Sequence, residues 1–287
     1  MVQIAIANYD LLRLLRKIPF LQNRFIAKIY ALNQIKDPKY YNDFLSGIKL
    51  NNSIYKTTEP ARFEDVNSVL LRIISPSEKH YVHDIAVSNG VVSIELFQAL
   101  KARNIDFQFA VSDKFSKGYY TGRFLQTVYE SDMKPRNFYC IGICLSANST
   151  TAIEQKLYRI MVKRENRIRK KKIKEFSFYH ADVLKMLGNG TIHEIKYDVL
   201  DSSIENKFTF VRAMNILNRN YFSEDQIVQA LLCIKKSMKN NAVFQIGRTH
   251  PDGVNRVSFF RKMQDTLSLI EDYNDGSEIK DLIQRLN

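Results

Sequence analysis

The chain has 287 residues, of which 45% are hydrophobic, 11% aromatic and 25% charged. These values are ordinary for a globular protein, so they exclude a disordered chain, a collagen-like repeat and a small disulfide-stabilised protein. A formal net charge of +13 favours contact with something anionic, such as a membrane surface or a nucleic acid. No apolar run reaches the ~18 to 20 residues that a membrane-spanning helix needs, and the first ten residues lack a signal-peptide pattern. We therefore expect a cytoplasmic protein, either free or peripheral at a membrane.

The first 76 residues have mainly helical spacing. Apolar residues recur on both sides of Pro19, which predicts two helices that meet there, and further helices are predicted over 38–45 and 60–74. Between residues 10 and 28 there are five basic residues and one acidic residue, a local charge of +4. We predict that residues 1–76 form an N-terminal helical region that covers a substrate pocket as a lid. The alternative is that these helices lie in a bilayer interface.

From residue 77 onward, short apolar strands alternate with helices. The strand patterns cover residues 80–87, 106–111, 191–197, 207–211, 242–247, 255–262 and 266–272. Helical spacing lies at 91–103 and 223–238, and Ser223 is placed to cap the second of these helices. The last two strands are so close in sequence that they must form an antiparallel hairpin. This order predicts an α/β fold with an open, mainly parallel sheet covered on both faces, whose ligands bind beyond the carboxyl ends of the strands.

An insert at about residues 115–190 interrupts this alternation and holds most of the charge. From Lys156 to Lys174, ten residues are basic and one is acidic, a local charge of +9. Four apolar residues in this stretch fall on one face of a helix: Leu157, Ile160, Met161 and Ile168. We predict a basic amphipathic helix that contacts an anionic membrane surface or a nucleic acid. The alternative is a solvated face without a partner.

The three cysteines predict no special chemistry. Their number is odd and none of them forms a Cys-x-x-Cys pair, so neither a disulfide framework nor a zinc site is indicated. Cys140 and Cys144 have the spacing of one helical face, but no histidine lies nearby to complete a metal site. We predict that these two residues and Cys233 are buried thiols, and that the protein has no metal site.

The loop after the first strand of the alternating region is the first candidate for a ligand site. It begins at Asp84 and ends at Gly90, and small residues at 86, 88 and 90 let a ligand approach the backbone closely. The following helix presents its positive end to the same place. Asp84, and Asp113 just after the second strand, are placed to accept hydrogen bonds from an amino group and a ribose diol. The alternative is an ordinary strand-to-helix turn.

Taken together, these loops resemble the ordered motifs of class I S-adenosylmethionine-dependent methyltransferases. The matching segments are Asp84–Gly90, Asp113, Asp198–Leu200 and Phe210–Asn218. The stretch from Asn215 to Tyr221 and Phe222 is most similar to the chemotaxis-receptor methyltransferase branch, whose pattern has Asn-Val-Leu followed by Tyr-Phe. The resemblance covers about residues 77–287. It implies a Rossmann-like, mainly parallel seven-stranded sheet with an antiparallel terminal strand, to which the N-terminal helical region and the basic helical insert are added.

The resemblance also implies a role for each matching residue in binding the cofactor S-adenosylmethionine. The residues that would hold its methionine part are Asp84, Ala86, Ser88, Asn89 and Gly90. Asp113 would bind the ribose hydroxyls, and Asp198 with Val199 would bracket the adenine. Asn215, at the end of the fourth strand, would lie near the sulfonium and its methyl group.

The sequence departs from the family pattern in two places. Ala86 and Ser88 stand where glycines are usual, a substitution that keeps both residues small. The gap between Asn215 and Tyr221 is two residues longer than in the chemotaxis branch, which leaves the substrate role of Tyr221 open. The catalytic candidates are Asn215, Tyr221 and His250, and the substrate-binding candidates are Met214 and Arg248. Arg248 is predicted to clamp an anionic substrate, and the alternative is an ion pair at the surface.

The predicted function is methyl transfer to a small-molecule or lipid-like acceptor. A sulfonium methyl group is already activated, so transfer chiefly needs in-line positioning and exclusion of water, with a base if the acceptor has a high pKa. Two alternatives remain open: a nucleic-acid methyltransferase whose basic helix holds RNA phosphates, and a non-catalytic interaction protein that keeps the fold.

Overall fold

The computed structural model describes residues 3–6, 9–18, 25–27, 60–121, 125–129, 135–140, 143–146, 151–167 and 173–286. The chain forms two compact units. The accessory unit joins Met1–Glu59 to Phe115–Ala181, and the main unit joins Pro60–Lys114 to Asp182–Asn287. The predicted insert thus ends near residue 181, and residues 60–76, which were predicted with the N-terminal region, belong to the main unit.

Charge is distributed very unequally between the two units. By sequence, the accessory unit has 23 basic and 9 acidic residues, a net charge of +14, whereas the main unit has 20 basic and 21 acidic residues, a net charge of −1. The net positive charge of the protein therefore comes from the accessory unit alone.

The main unit is built on a seven-stranded sheet. Its strands in chain order are β1 (His80–Ile85), β2 (Phe107–Ser112), β3 (His193–Glu194), β4 (Phe208–Met214), β5 (Met238–Thr249), β6 (Asn255–Met263) and β7 (Thr266–Tyr273). The order in the sheet is β3-β2-β1-β4-β5-β6-β7, and the first five strands are parallel. Strand β6 runs antiparallel to both of its neighbours and forms the predicted hairpin with β7. The predicted fold class, a mainly parallel Rossmann-like sheet with an antiparallel end, is confirmed.

Five helices accompany this sheet in the described part of the main unit. They are α1 (Glu64–Ile73), α2 (Val91–Ala102), α3 (Ala181–Gly188), α4 (Glu224–Ser237) and α5 (Lys280–Arg285). The predicted cap of α4 is confirmed, because the Ser223 hydroxyl accepts a hydrogen bond from the Gln226 amide while the Gln226 side chain accepts one from the Ser223 amide. Fully buried side chains of α4 and the central strands form the apolar core, among them Ile227, Leu231, Ile234, Phe244 and Phe260.

The third strand of the main sheet is much shorter than predicted. The sequence pattern favoured a strand over 191–197, whereas the regular ladder contains only His193 and Glu194, which pair with Ala110 and Val111. Both strand residues are exposed, and among the described strands β3 pairs only with β2. Tyr197, which the pattern placed in this strand, lies beyond the ladder and packs its ring edge-on against His83 at a centroid distance of 4.7 Å.

The accessory unit contains a second seven-stranded sheet. Its strands in sheet order are Phe25–Ala27, Gln3–Ile6, Ile143–Ser146, Pro135–Cys140, Leu125–Tyr129, Lys117–Thr121 and Lys174–Ser177. The first pair is parallel and every other pair is antiparallel. The described helices of this unit are Tyr9–Arg16 and Ala152–Arg167. The second of them contacts the strands Pro135–Cys140 and Ile143–Ser146.

Several sequence predictions for the accessory unit need correction. The helix before Pro19 is confirmed as Tyr9–Arg16, but Gln3–Ile6 and Phe25–Ala27 are strands rather than helices. Short apolar runs do not distinguish a helix from a strand by periodicity, and Gln3–Ile6 pairs with a strand near residue 144 that lies far along the chain. The helix predicted over 38–45 lies outside the described residues.

In its described residues the insert has mainly strands and one helix, whereas a helical insert was predicted from the sequence. The predicted basic helix extends over Ala152–Arg167, Ile168 lies outside the described residues, and Lys174 begins a strand. Cys140 and Cys144 are also in strands, so they do not share a helical face, and their side chains lie outside the described part. Cys233 is buried and free, as predicted.

The insert departs from the main unit and returns to it through one antiparallel pair of strands. Lys117–Thr121 pairs with Lys174–Ser177, and the ladder continues toward the main unit where the Phe178 amide donates to the Ser116 carbonyl at 2.9 Å. The outgoing and returning chains are therefore hydrogen-bonded to each other at the base of the insert. Among the helices that the structure describes, none has both the length and the apolar character needed to cross a membrane.

Candidate functional site

The candidate site lies where the chain order of the main sheet reverses direction. Strands β1 and β4 are adjacent, with Ile85 opposite Ala213 at their carboxyl ends. The chain continues from β1 toward β2 and β3 on one side, and from β4 toward β5 on the other. Ligands of Rossmann-like sheets bind in the crevice at such a switch point. The loops that follow Ile85 and Met214 are therefore the first place to look for a site.

The loop after β1 has an alternating left-handed backbone. The φ angles are 57° at Ala86, 58° at Ser88 and 80° at Gly90. These are the three positions at which the sequence resemblance expects glycine, the residue that adopts such φ angles without strain. A Cβ atom at Gly90 would also approach Val183 Cγ2 to 2.7 Å. The loop thus keeps a glycine-type conformation even though two of its residues are not glycine.

We expect Ala86→Gly to leave the free energy of unfolding unchanged or to raise it by up to about 1.5 kcal/mol. A left-handed non-glycine residue costs about 1–2 kcal/mol, and the greater freedom of glycine in the unfolded chain offsets about 0.5–1 kcal/mol of that gain. Urea unfolding measures the change. The matched control, Ala110→Gly inside β2, should destabilise the protein. A loss of more than about 1 kcal/mol for Ala86→Gly would contradict the strained conformation.

Asp113, directly after β2, is bound to this loop. One of its carboxylate oxygens accepts a hydrogen bond from the Ser88 amide at 2.7 Å. The Val87 amide donates to the Ser112 carbonyl at 3.2 Å, so the loop is tied to the end of β2 through two successive residues. Asn89 is fully buried, and its side-chain oxygen accepts a hydrogen bond from the Val91 amide at 3.1 Å in the first turn of α2.

Asp198 follows the neighbouring strand β3. Its carboxylate accepts a hydrogen bond from the Leu200 amide at 3.0 Å and forms an ion pair with Lys114 at 3.4 Å. The Asp198 side chain is 41% exposed, so the pair contributes little to stability and leaves the carboxylate accessible. Val199 is partly buried and packs against the apolar core. Two carboxylates, at 113 and 198, therefore follow adjacent strands of the sheet.

Asp84 has buried partners that were not predicted from the sequence. The Arg212 guanidinium donates from Nε to Asp84 Oδ1 at 2.8 Å and from Nη2 to Oδ2 at 2.5 Å. The Ser93 hydroxyl also donates to Oδ2, at 2.6 Å. The side chains of Arg212 and Asp84 are only 1% and 4% exposed. The carboxylate of Asp84 is thus fully engaged beneath the loop, and its direct contact with the methionine part of a cofactor stays a prediction.

Arg212 connects the sheet to two helices as well. It donates to the Val92 carbonyl at 3.1 Å in α2 and to the Asn67 side chain at 3.4 Å in α1. With these bonds the buried pair is almost completely hydrogen-bonded, the condition under which buried charges are tolerated. A signal for this residue was present in the sequence, because an arginine inside the otherwise apolar strand β4 needs a buried partner.

Asn215 links the carboxyl ends of β4 and β5 through hydrogen bonds. Its φ angle is 60°, its amide donates to the Gly247 carbonyl at 2.9 Å, and its Oδ1 accepts from the Thr249 amide at 2.8 Å. Thr249 Oγ1 in turn accepts a hydrogen bond from Arg62 Nε at 2.8 Å and donates to Asn255 Oδ1 at 2.7 Å. Asn215 Nδ2 donates to no residue that the structure describes. The asparagine is therefore held by its oxygen, with its amide nitrogen left for other partners.

The other predicted site residues have different degrees of exposure. Met214 is buried in β4, and Tyr221, in the turn that follows, is 47% exposed. His250 lies in the turn after β5, and its buried Nε2 has no hydrogen-bond partner in the described ranges. Arg248 forms a half-buried ion pair with Glu278 at 2.6 Å. The guanidinium of Arg248 is thus already bound to a carboxylate, and its role as a substrate clamp stays a prediction.

His83 is a buried histidine next to this site. Its ring packs against Tyr197 and Phe208 at centroid distances of 4.7 and 4.6 Å, and its Nε2 is 2.8 Å from the Ser112 hydroxyl. Burial, together with the positive charge of Lys207, lowers the pKa of His83 to about 3. The imidazole is therefore neutral in the folded protein at neutral pH.

The stability of the protein should fall in acid because of His83. The unfolded chain binds a proton at the ordinary pKa of about 6.5, whereas the folded chain binds it only near about 3. Between these values the unfolded state binds more protons, so the free energy of unfolding drops by up to about 1.4 kcal/mol per pH unit as the pH falls. Urea unfolding between pH 7 and 4 measures this slope.

His83→Gln, which retains a partner for Ser112 without titrating, should reduce that slope. The control is His193→Gln, which replaces an exposed histidine of β3. Equal slopes for the wild type and His83→Gln would show that His83 does not cause the loss of stability in acid.

No protein-family model matches the chain, and neither does any curated protein. It is similar to several solved structures. A candidate S-adenosyl-L-methionine-dependent methyltransferase from Methanococcus maripaludis is 12% identical, with a TM-score of 0.33 over 65% of this chain and 55% of that chain. A protein of Pyrococcus horikoshii is 14% identical, with a TM-score of 0.36 over 79% and 78%. A candidate sarcosine dimethylglycine methyltransferase from Galdieria sulphuraria is 10% identical, with a TM-score of 0.32 over 64% and 44%.

These likenesses concern the fold alone. The chain spans about half the length of the Methanococcus and Galdieria proteins. The Rossmann-like arrangement of the main unit rests on its own strand order, and membership of the chemotaxis-receptor branch stays a prediction.

Proposed function

We propose that the chain is an S-adenosylmethionine-dependent methyltransferase that acts on a small-molecule or lipid-like acceptor. The observation that carries the proposal is the loop after β1, in which three small residues at alternate positions have left-handed φ angles. The loop starts at the switch point of the sheet, and its middle amide is bound by the carboxylate of Asp113. Small residues let a nucleotide-containing ligand approach the backbone, and the acid after the next strand supplies an acceptor for ribose hydroxyls.

The residues of the main unit fit this cofactor in distinct ways. Asp113 accepts hydrogen bonds from the ribose hydroxyls while it keeps its bond to Ser88, and Asp198 with Val199 brackets the adenine. The backbone of residues 86–90 and the positive end of α2 hold the methionine carboxylate. Asp84 keeps the loop in place through Ser93, the third residue of α2. In this proposal Asp84 is a positioning residue for the loop.

When bound, S-adenosylmethionine supplies a methyl group that its sulfonium has already activated. The chain must then align the acceptor with that group and exclude water. Asn215 lies at the end of β4 with an amide nitrogen that is available to orient an acceptor oxygen. His250 and Tyr221 are the candidates for accepting a proton from an acceptor of high pKa.

The charge of the main unit supports a small or lipid-like acceptor. With a net charge of −1, this unit lacks the excess of cations that nucleic-acid binding requires. Arg248, a cation near the carboxyl end of β5, is paired with Glu278. A nucleic-acid methyltransferase would instead depend on the accessory unit, with its net charge of +14.

Calorimetric titration of the full chain tests cofactor binding. We expect saturable binding of S-adenosylmethionine and S-adenosylhomocysteine at one site. Absence of binding for both compounds would overturn the proposal.

Transfer of a tritiated methyl group tests the acceptor. When the protein is incubated with labelled S-adenosylmethionine and a cell extract, we expect label in the organic-soluble or small-molecule fraction. Label in RNA would identify the nucleic-acid alternative, and binding without any transfer would identify a non-catalytic protein.

A further inference from the structure

The helix Ala152–Arg167 of the accessory unit has one face fixed to its sheet. The Tyr158 hydroxyl donates to the Pro135 carbonyl at 2.8 Å, and its ring meets Phe138 edge-on at a centroid distance of 5.6 Å. Glu154, one turn earlier, is only 6% exposed. Polar and aromatic contacts thus attach the helix to its strands along this face.

A different face of the same helix carries an exposed aliphatic stripe. Ile153, Leu157 and Ile160 are 74%, 46% and 52% exposed. They are spaced four and three residues apart, which aligns their side chains along one side of a helix. Aliphatic side chains in such an aligned, exposed row indicate contact with an apolar partner. Tyr158 attaches the helix to the sheet without them, through Pro135 and Phe138.

Basic side chains flank this stripe. Four exposed cations lie on the helix, at Lys156, Arg159, Lys163 and Arg164. None of the four forms an ion pair with the part of the chain that the structure describes. Arg164 extends the row of the stripe by one turn, and the unit as a whole has a net charge of +14. The surface therefore combines aliphatic side chains with cations that have no ion-pair partner among the described residues.

We infer that this face of the helix docks the protein onto an anionic membrane surface. The aliphatic stripe enters the boundary between head groups and acyl chains, and the flanking cations contact lipid phosphates. A nucleic acid would engage the cations only, because bases stack on aromatic side chains, and Tyr158 faces the sheet. A second copy of the chain is disfavoured, since two units of charge +14 repel each other. The inference does not rest on the proposed function, because docking needs no cofactor.

Vesicle sedimentation with the purified full chain tests the inference. The probes are vesicles of phosphatidylcholine alone and of phosphatidylcholine with phosphatidylglycerol. We expect binding only to the anionic vesicles.

One variant replaces the stripe: Ile153→Gln, Leu157→Gln and Ile160→Gln. A second variant replaces the cations: Lys156→Gln, Arg159→Gln, Lys163→Gln and Arg164→Gln. Each variant should lower the partition coefficient by about tenfold or more, since one Lys or Arg near such a surface changes it by roughly fivefold.

Matched controls come from the main unit. Leu232→Gln removes an exposed leucine of α4, and Lys101→Gln with Arg103→Gln removes two exposed cations at the end of α2. We expect these variants to bind vesicles like the wild type, and thermal unfolding verifies that every variant is folded.

Three results would overturn the inference: no binding to anionic vesicles, unchanged binding of the stripe variant, or a concentration-dependent dimer that the stripe variant abolishes. Binding to single-stranded RNA that depends on the cations but not on the stripe, without vesicle binding, would assign the surface to nucleic acid. Calorimetry with S-adenosylhomocysteine is independent of all these outcomes, so failure of the docking surface and failure of the proposed function are distinguishable.

Discussion

Replacement of Arg212 by methionine is expected to lower the free energy of unfolding by about 3–5 kcal/mol, because it leaves the buried carboxylate of Asp84 without its counter-ion. The pair is almost inaccessible to solvent, so water cannot substitute for the lost guanidinium. Urea unfolding monitored by circular dichroism measures the effect.

Two further variants distinguish the cost of the uncompensated charge from the cost of lost packing. In Asp84→Asn with Arg212→Met the uncompensated charge is gone, so we expect at least about 2 kcal/mol of the loss to be recovered. Arg219→Met removes an arginine whose pair with Asp281 is exposed, and it should cost no more than about 1 kcal/mol. A cost below about 1 kcal/mol for Arg212→Met would show that the pair does not hold the loop and the two helices together.

Replacement of Asp113 by alanine is expected to weaken the binding of S-adenosylhomocysteine by about 100-fold or more. Hydrogen bonds to a charged group are worth about 1.5–3 kcal/mol each, and in the proposed site this carboxylate accepts bonds from the ribose hydroxyls. Calorimetric titration of the wild type and the variant measures the change.

The matched control for this experiment is Asp106→Ala. Asp106 precedes β2 at its amino end, where its carboxylate is exposed and 3.7 Å from Lys79, whereas Asp113 follows the carboxyl end of the same strand. We expect unchanged affinity for the control and a folded protein in both cases. Unchanged affinity for Asp113→Ala would remove the ribose assignment while leaving the Rossmann-like fold as it is.

The local features of the main unit were predictable from the sequence because their causes are local. The cap at Ser223 depends on residues three positions apart, and the hairpin of β6 and β7 depends on a short connection. The small residues at 86, 88 and 90 also predicted a loop whose backbone a ligand can approach closely. Physical rules for caps, turns and glycine-type conformations act over a few residues, so a single sequence contains them.

Features that depend on distant parts of the chain were not predictable in the same way. Gln3–Ile6 is a strand because residues 143–146 lie beside it, and nothing near residue 3 encodes that neighbour. The pairing of Asp84 with Arg212 spans 128 positions, so the role of Arg212 was missed although its place in an apolar strand was visible. The sequence also could not show which apolar residues of the basic helix face the sheet, because that depends on Tyr158 and Pro135 meeting.

The hydrogen bond between Ser116 and Phe178 has a consequence for how this protein can be rearranged. Because the outgoing and returning chains of the insert are hydrogen-bonded there, the insert could be replaced through two junctions that lie side by side, near residues 116 and 178. The accessory unit could thus be exchanged as a whole between proteins that share the main unit. Since Gln3–Ile6 completes its sheet, such an exchange has to transfer residues 1–59 together with residues 115–181.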